Sequence, residues 1–328
     1  MVEAGRGIPR YLVTGGAGFI GSHLVRRLLN QGVEVRVLDD FSTGRHANLE
    51  EVASRIELVE GSLSDPSAVR RAVAAVEVVF HQAAIPSVPR SILAPEETHA
   101  ANATGTLVLL QASLEARVRR LVYASSSSVY GANETLPKRE SMIPEPLSPY
   151  AVSKLAGEQY CLVYHRLHGL ETVALRYFNV FGPRQDPISP YSGVVSCFLS
   201  ALASGRAPVI HGDGEQSRDF TYVDNVVDAN WAAAHRSGVA GRVYNIGCST
   251  RTSINQLWEV VAREAGSSLT PVHEPTRPGD VRHSLADISR ARAELDFQPR
   301  VSLAEGLRRT LEYYELLAPR TEGPARTK

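Results

Sequence analysis

The sequence predicts an α/β protein: a doubly wound parallel sheet with a smaller C-terminal lobe. Two observations carry this. In the first half, short runs rich in Val, Leu and Ile alternate with helix-like segments, the βαβ rhythm that winds a parallel sheet between layers of helices. After about Asn179 the rhythm breaks, and Pro and Gly cluster in FGPRQDPISPYSG and RAPVIHGDGEQSRD.

The expected strands are residues 11–14, 34–38, 56–59, 76–81, 121–124 and 172–177. Continuous apolar runs of this length suit strands buried on both faces. Helices are expected over 18–30, 66–75, 95–116 and 149–168. Two later segments, a helix over 224–236 and a strand over 242–246, are expected to return to the main sheet. The division is therefore a doubly wound domain over 1–180 with returning segments at about 224–248, a smaller lobe mainly over 181–320, and a frayed polar tail over 321–328.

At 328 residues, 43% hydrophobic and 21% charged, the chain reads as globular. Lys+Arg and Asp+Glu both number 35, so no net field draws it to nucleic acid or to a membrane surface. Cys161, Cys197 and Cys248 are far apart and odd in number. That argues against a disulfide frame or a metal site and for a reducing compartment. With no charged leader and no long apolar run, a cytoplasmic protein is expected. Cys197 and Cys248 read as small buried hydrophobes. Lys138, Lys154 and Lys328 are the three lysines of the chain, which singles each out.

The stretch YLVTGGAGFIGSHL sets Gly15, Gly18 and Gly21 three residues apart, after a strand and at the opening of a helix. The first glycine permits a tight turn, the second lets backbone approach a pyrophosphate, and the third allows close helix–strand packing. Phe19 and Ile20 supply amides of that first turn. The next strand ends in Asp39, an acid placed to bind ribose hydroxyls, and Asp40 and Phe41 follow where a cation would hold a 2′-phosphate. The cofactor expected is NAD rather than NADP.

In SPYAVSKLAGEQY, Tyr150 and Lys154 stand four apart on one helix face. A nearby ammonium favours phenolate, drawing the tyrosine below its ordinary value toward working pH. Such a tyrosine takes a proton from a hydroxyl as hydride leaves the same carbon. His81, before QAA, reads as a packed histidine, since Tyr150 fills the base role.

TGGAGFIGS, HQAA, ASSSSVYG, SPYAVSK, LRYFNVFGPRQ, SRDFTYV and RPGD occur in order from Leu12 to about Pro299. Over nearly its whole length the chain resembles the extended short-chain dehydrogenase/reductase family. Within it, the chain looks most like the UDP-hexose 4-epimerases, and SVPRS and FGPRQDP are similar to those acting on UDP-N-acetylhexosamines. The resemblance implies a Rossmann fold and a triad of Ser126, Tyr150 and Lys154. It implies NAD contacts from Ser62, Leu63, Ala83, Ala84, Asn102 and Tyr177, with Ser62 replacing the family's usual aspartate beside adenine. It places a UDP-sugar against Ser87, Arg90, Ser127, Ser128 and Asn179. Val209 and His211 would hold uracil, Arg218 and Arg277 the diphosphate, and Asp280 the uridine ribose. Ser284, four after Asp280, stands where a small residue leaves room for an N-acetyl group. Helices 95–116 and 149–168 correspond to the family's dimer-forming pair.

Related 4,6-dehydratases carry an Asp–Glu pair where this chain has Ser127 and Ser128, so dehydration lacks its acid and base. The reaction expected is 4-epimerisation of UDP-glucose/UDP-galactose and of UDP-GlcNAc/UDP-GalNAc through a 4-keto sugar. The alternative is a UDP-glucuronate epimerase or decarboxylase, which needs a cation such as Arg90 or Arg184 at the C6 carboxylate. A non-catalytic NAD-binding protein ranks last, because Tyr150 and Lys154 are both retained.

Overall fold

A computed structural model describes residues 8–186, 193–276 and 281–316. Its first half builds β1 (Arg10–Thr14), α1 (Phe19–Asn30), β2 (Glu34–Asp39), β3 (Ile56–Glu60), α2 (Pro66–Val73) and β4 (Val78–His81). There follow α3 (Val88–Leu93), α4 (Pro95–His99), α5 (Gly105–Glu115), β5 (Arg120–Ser126), α6 (Pro149–His168) and β6 (Glu171–Tyr177). The later part adds β7 (Val180–Phe181), α7 (Val194–Ser204), β8 (Val209–His211), β9 (Ser217–Arg218), β10 (Thr221–Tyr222), α8 (Val223–His235) and β11 (Arg242–Ile246).

Seven parallel strands form one sheet in the order β11-β6-β5-β4-β1-β2-β3. β11 pairs with β6 from Arg242↔Val173 to Ile246↔Tyr177, so the later chain does return to the sheet as expected. The order reverses between β1 and β4, and the crevice beyond their C-terminal ends is where such sheets bind ligands.

Burial explains the parallel sheet. On one face Tyr11, Val13, Val37, Phe80, Val122 and Leu175 pack with Leu24 and Leu28 of α1 and Val226 of α8. On the other, Leu12, Leu38, Val79 and Leu121 pack with Val69 of α2, Leu109 of α5 and Cys161 of α6. Alternate residues of one strand thus serve two cores. β3 departs from this reading. It is an edge strand, and Glu57 and Leu58 are exposed despite the apolar run.

α6 spans the residues expected of it. Ser148 caps it by accepting from Ala151 N at 3.1 Å, Pro149 occupies its first turn, and Gly169 ends it at φ +71°. The expected continuous helix 95–116 is instead α4, a π turn over Ala100–Thr104, and α5. A π turn inserts one residue into the helical ladder, which periodicity does not register.

The lobe is tied by short ladders. β7 pairs with β10, β9 with β12 (Thr252–Ser253), and β8 with β13 (Val272–Glu274). α9 (Ile254–Ala265), α10 (Ser289–Leu295) and α11 (Leu303–Tyr313) complete it. No described helix is long and apolar enough to cross a membrane.

Candidate active site

A cleft of about 1770 Å³ opens at the strand reversal, from the glycine loop to the lobe. Gly15 has φ +68°, and a Cβ there would lie 2.7 Å from the Ala83 backbone, so only glycine lets the β1 and β4 loops meet. A Cβ on Gly21 would lie 2.0 Å from the Gly15 carbonyl. The third glycine therefore serves packing of α1 on its own loop, not on the strand. Gly18 caps α1 without a side chain, and no acid occupies the first turn. The amides around Phe19 and Ile20 are thus open to an anion.

At the far end, Asp39 accepts from Ala17 N at 2.8 Å and Phe41 N at 2.9 Å. It closes the turn and also lines the cleft, so the acid both shapes and faces this end of it. Burial pushes its carboxyl up, and those two amides pull it back down. Ser62, Leu63, Ala83 and Ala84 line the same wall. These residues fit a dinucleotide. Asn102 does not line the cleft. The π turn directs its amide inward, where Oδ1 accepts from Ile85 N at 2.8 Å and Nδ2 donates to Ser153 Oγ at 3.0 Å. Its observed role is to hold the Ile85 loop.

The floor is formed by the end of β5 and the start of α6. Tyr150 lies beside Ser126, whose Oγ accepts from Ser128 N at 3.1 Å and Ser128 Oγ at 2.9 Å. Burial pushes the Tyr150 hydroxyl above its ordinary value, and the neighbouring Ser126 hydroxyl acts against that rise. The sequence expectation that Lys154 draws Tyr150 below its ordinary value is not met in the protein alone. Lys154, one turn deeper, lies 4.9 Å from the Tyr123 ring centroid. Burial lowers its ammonium to about 8. Tyr177 closes the side, its hydroxyl held by Asn230 Nδ2 at 2.8 Å and Gln82 Nε2 at 3.1 Å.

On the lobe side the cleft is lined by Ser87, Arg90, Ser127, Ser128, Asn179, Val209, His211, Arg218 and Ser284. His211 Nδ1 donates to the Pro275 carbonyl at 3.2 Å, which orients its ring. Ser284 N donates to Ser217 O at 3.0 Å. Arg277 and Asp280 lie outside the described residues. Arg90 is paired with Glu97 at 2.6 Å and Arg184 with Glu51 at 3.2 Å. Cys197 corrects the sequence reading: it is exposed on α7 and lines the cleft, and Cys248 is half-buried. Helical periodicity did not reveal that α7 turns this face to the cavity.

His81 is packed, as the sequence suggested. Thr106 Oγ1 donates to Asn102 O and so accepts from Nε2–H at 2.8 Å, leaving Nδ1 to accept from Thr14 Oγ1 at 2.8 Å. Burial, then the Lys154 charge, lowers the imidazole to about 3. Below its unfolded value near 6.5, the unfolded chain binds a proton that the native histidine refuses, so stability is lost as pH falls from 6.5 toward 3. His81→Gln should remove this term. Urea unfolding at pH 7 and pH 5 should then differ by about 2 kcal/mol less than in the parent. Equal differences in both proteins would contradict a neutral buried His81.

A model of the NAD dependent epimerase/dehydratase family matches residues 11–247, the span that holds the glycine loop, Ser126, Tyr150 and Lys154. The chain belongs to that family. Its cofactor is accordingly NAD. The UDP-glucose 4-epimerase of Mycolicibacterium smegmatis is 43% identical over 309 residues, covering 93% of this chain and 98% of that one. The UDP-glucose 4-epimerase of Thermotoga maritima, solved with UDP-glucose, superposes with a TM-score of 0.89 at 40% identity, covering 93% of this chain and 98% of that one. The UDP-N-acetylglucosamine 4-epimerase of Methanobrevibacter ruminantium, solved with UDP-N-acetylmuramic acid, gives 0.90 at 38%, covering 94% and 99%.

One residue of this epimerase/dehydratase-family site escaped the sequence reading. Asp219 is fully buried and accepts from Cys248 N at 2.8 Å, Ser249 N at 2.9 Å and Ala286 N at 3.1 Å. It thereby ties the Arg218 strand to the end of β11 and to the segment carrying Ser284. An acid inside SRDF gives no sequence sign of burial, so no signal was available.

Proposed function

We propose that the protein is a UDP-hexose 4-epimerase that works through a 4-keto sugar on retained NAD. The observation that carries this is the placement of Ser126 beside Tyr150 at the cleft floor, with Lys154 one turn deeper and hydroxyls alone at positions 127 and 128. The relatives named above act on UDP-sugars, which supports the substrate class.

Bound NAD supplies a hydride acceptor and donor, together with a nicotinamide positive charge that favours the Tyr150 phenolate. Tyr150 takes the proton of the 4-hydroxyl as the C4 hydride leaves, and gives it back after the keto sugar has turned. Ser126 donates to the phenolate and orients it. Lys154 fixes the nicotinamide ribose and, below about pH 8, keeps a positive charge beneath the site. Asn179, Arg218 and Arg277 anchor the diphosphate, Asp280 the uridine ribose, and Val209 and His211 the uracil, so the nucleotide stays while the sugar swings. Arginine suits this task because its planar fork donates two parallel bonds to phosphate.

A neutral sugar is favoured over a glucuronate. The two arginines that the sequence offers to a C6 carboxylate, Arg90 and Arg184, already face carboxylates. α6 also carries exposed apolar residues at Val152, Tyr160, Val163 and Leu167, next to Ile92 and Leu93 of α3. In this reading that stripe is the face of a homodimer.

Ser284 on the cleft wall leaves space for an N-acetyl group at C2. The expected result with a UDP-sugar panel followed by NMR is interconversion of both UDP-glucose/UDP-galactose and UDP-GlcNAc/UDP-GalNAc. Ser284→Tyr should suppress the N-acetylated pair selectively, by tenfold or more, since overpacking a filled site costs about 1–3 kcal/mol. A wild-type protein inert toward all four sugars would sink the epimerase reading. Inertness toward the N-acetylated pair alone would sink the broad pocket.

A further inference from the structure

Beneath the active-site floor lies a buried ion pair that plays no part in the chemistry above. Glu158 is fully buried and Arg176 nearly so. Arg176 donates from Nη2 to Glu158 Oε1 at 2.7 Å and from Nε to Oε2 at 2.9 Å. Ser125 Oγ donates to the same Oε2 at 2.7 Å. The guanidinium carbon lies 4.8 Å from the centroid of the Tyr130 ring, and Nη1 has no hydrogen-bond partner.

We infer that Glu158 and Arg176 are positioning residues for the reaction: with Ser125 they lock α6, β5 and β6 in the register that brings Ser126 to Tyr150. This rests on the reading of Tyr150 as the base. The placement is what argues for it. Ser125 immediately precedes Ser126, and Arg176 immediately precedes Tyr177. Glu158 is one turn beyond Lys154 and two beyond Tyr150 on the same helix. Ser125 and Arg176 are paired across the sheet, as are Ser126 and Tyr177. Each element that donates a group to the floor is therefore clamped one to eight residues from that group.

Stability alone does not account for the pair. Taking two charges out of water is costly, and apolar replacements of similar volume often match or exceed such pairs in stability. A bidentate fork supplies direction instead, because it holds only within hydrogen-bond tolerance. The Ser126–Tyr150 contact needs that tolerance, and small misplacements of reacting groups cost large factors in rate. The clamp also reaches the lobe. Tyr130 donates to Asn245 Oδ1 at 2.7 Å, and Asn245 Nδ2 donates to Lys138 O at 2.8 Å and Asp287 O at 3.2 Å, three residues beyond Ser284.

The test uses the NAD-loaded enzyme. The double variant Glu158→Leu/Arg176→Met removes both charges and keeps an apolar volume. It should fold and retain NAD, yet show a kcat lower by roughly 10–100-fold with KM for UDP-glucose within twofold of the parent. The pH dependence of its kcat should shift upward on the acid side, as Tyr150 loses the neighbouring Ser126 hydroxyl that lowers it. Should the double variant not fold, Ser125→Ala cuts only the tie to β5 and leaves the ion pair. It should lower kcat by about 3–10-fold at unchanged KM. Parent-level kcat with an unshifted pH profile, in a folded double variant or in Ser125→Ala, overturns the inference. Tyr150→Phe separates the two claims: if it is inactive while these variants are normal, the base stands and the clamp falls.

Discussion

Tyr150→Phe is expected to yield a folded, NAD-loaded protein whose turnover of UDP-glucose is lower by roughly 10²–10⁴-fold or more, the share of a positioned general base. The fold should survive because the ring is kept and the lost oxygen leaves little unsatisfied. Ser126 Oγ still accepts from Ser128 N at 3.1 Å and Ser128 Oγ at 2.9 Å. Binding should survive too, since the residues proposed to hold the diphosphate and uracil lie elsewhere in the chain. The checks are steady-state kinetics, a melting curve and the NAD content of the purified variant. Turnover near the parent value would remove Tyr150 from the mechanism.

Gly21→Ala should act on the cofactor with comparable force. The added Cβ would lie 2.0 Å from the Gly15 carbonyl oxygen, 2.8 Å from its carbon and 2.9 Å from Gly16 Cα. All three are backbone atoms, which cannot swing aside as a side chain can. Either α1 slides outward or the loop opens, and both move the amides expected to face the pyrophosphate. Overpacking of this kind costs about 1–3 kcal/mol. The purified variant is expected to carry little NAD, read from its nucleotide absorbance after denaturation. Gly193→Ala is the control, because a Cβ there meets nothing within 4 Å and its φ is ordinary. A Gly21→Ala protein with full NAD and the parent melting temperature would refute this account of the loop.

What could be read from the sequence follows the range of the interactions involved. α6 was legible to its ends because Ser148, Pro149 and Gly169 are local signals that act on their own backbone. The glycine loop was legible for the same reason. The π turn was not, since Asn102 within it is bound to the distant Ile85 loop and no local signal marks the extra residue. That one displaced turn takes a residue read as a cofactor contact and puts it behind the wall. Buried charges were equally hidden: Asp219, Glu158 and Arg176 look like surface residues until their partners, up to 67 positions away for Asp219, are in place. Electrostatic magnitudes were hidden as well. The Tyr150–Lys154 spacing showed the pair but not its depth, and depth raises Tyr150 and lowers Lys154.

The position of β11 bears on the order of synthesis. β6 is the sixth strand of the sheet to leave the ribosome, and its outer edge stays open until Arg242–Ile246 has followed. In that interval the nascent sheet displays a row of unpaired amides and carbonyls beside an apolar strand, the template on which chains aggregate. The catalytic half is complete in sequence by Tyr177 yet unfinished as a solid body. The segment that seals it is delivered only after α7, β8 and β9 of the lobe have been made. The proposed substrate contacts and the closing of the sheet thus fall to one late-arriving stretch of chain, and a truncation just after Tyr177 that spares Ser126, Tyr150 and Lys154 would still leave the sheet without its last strand.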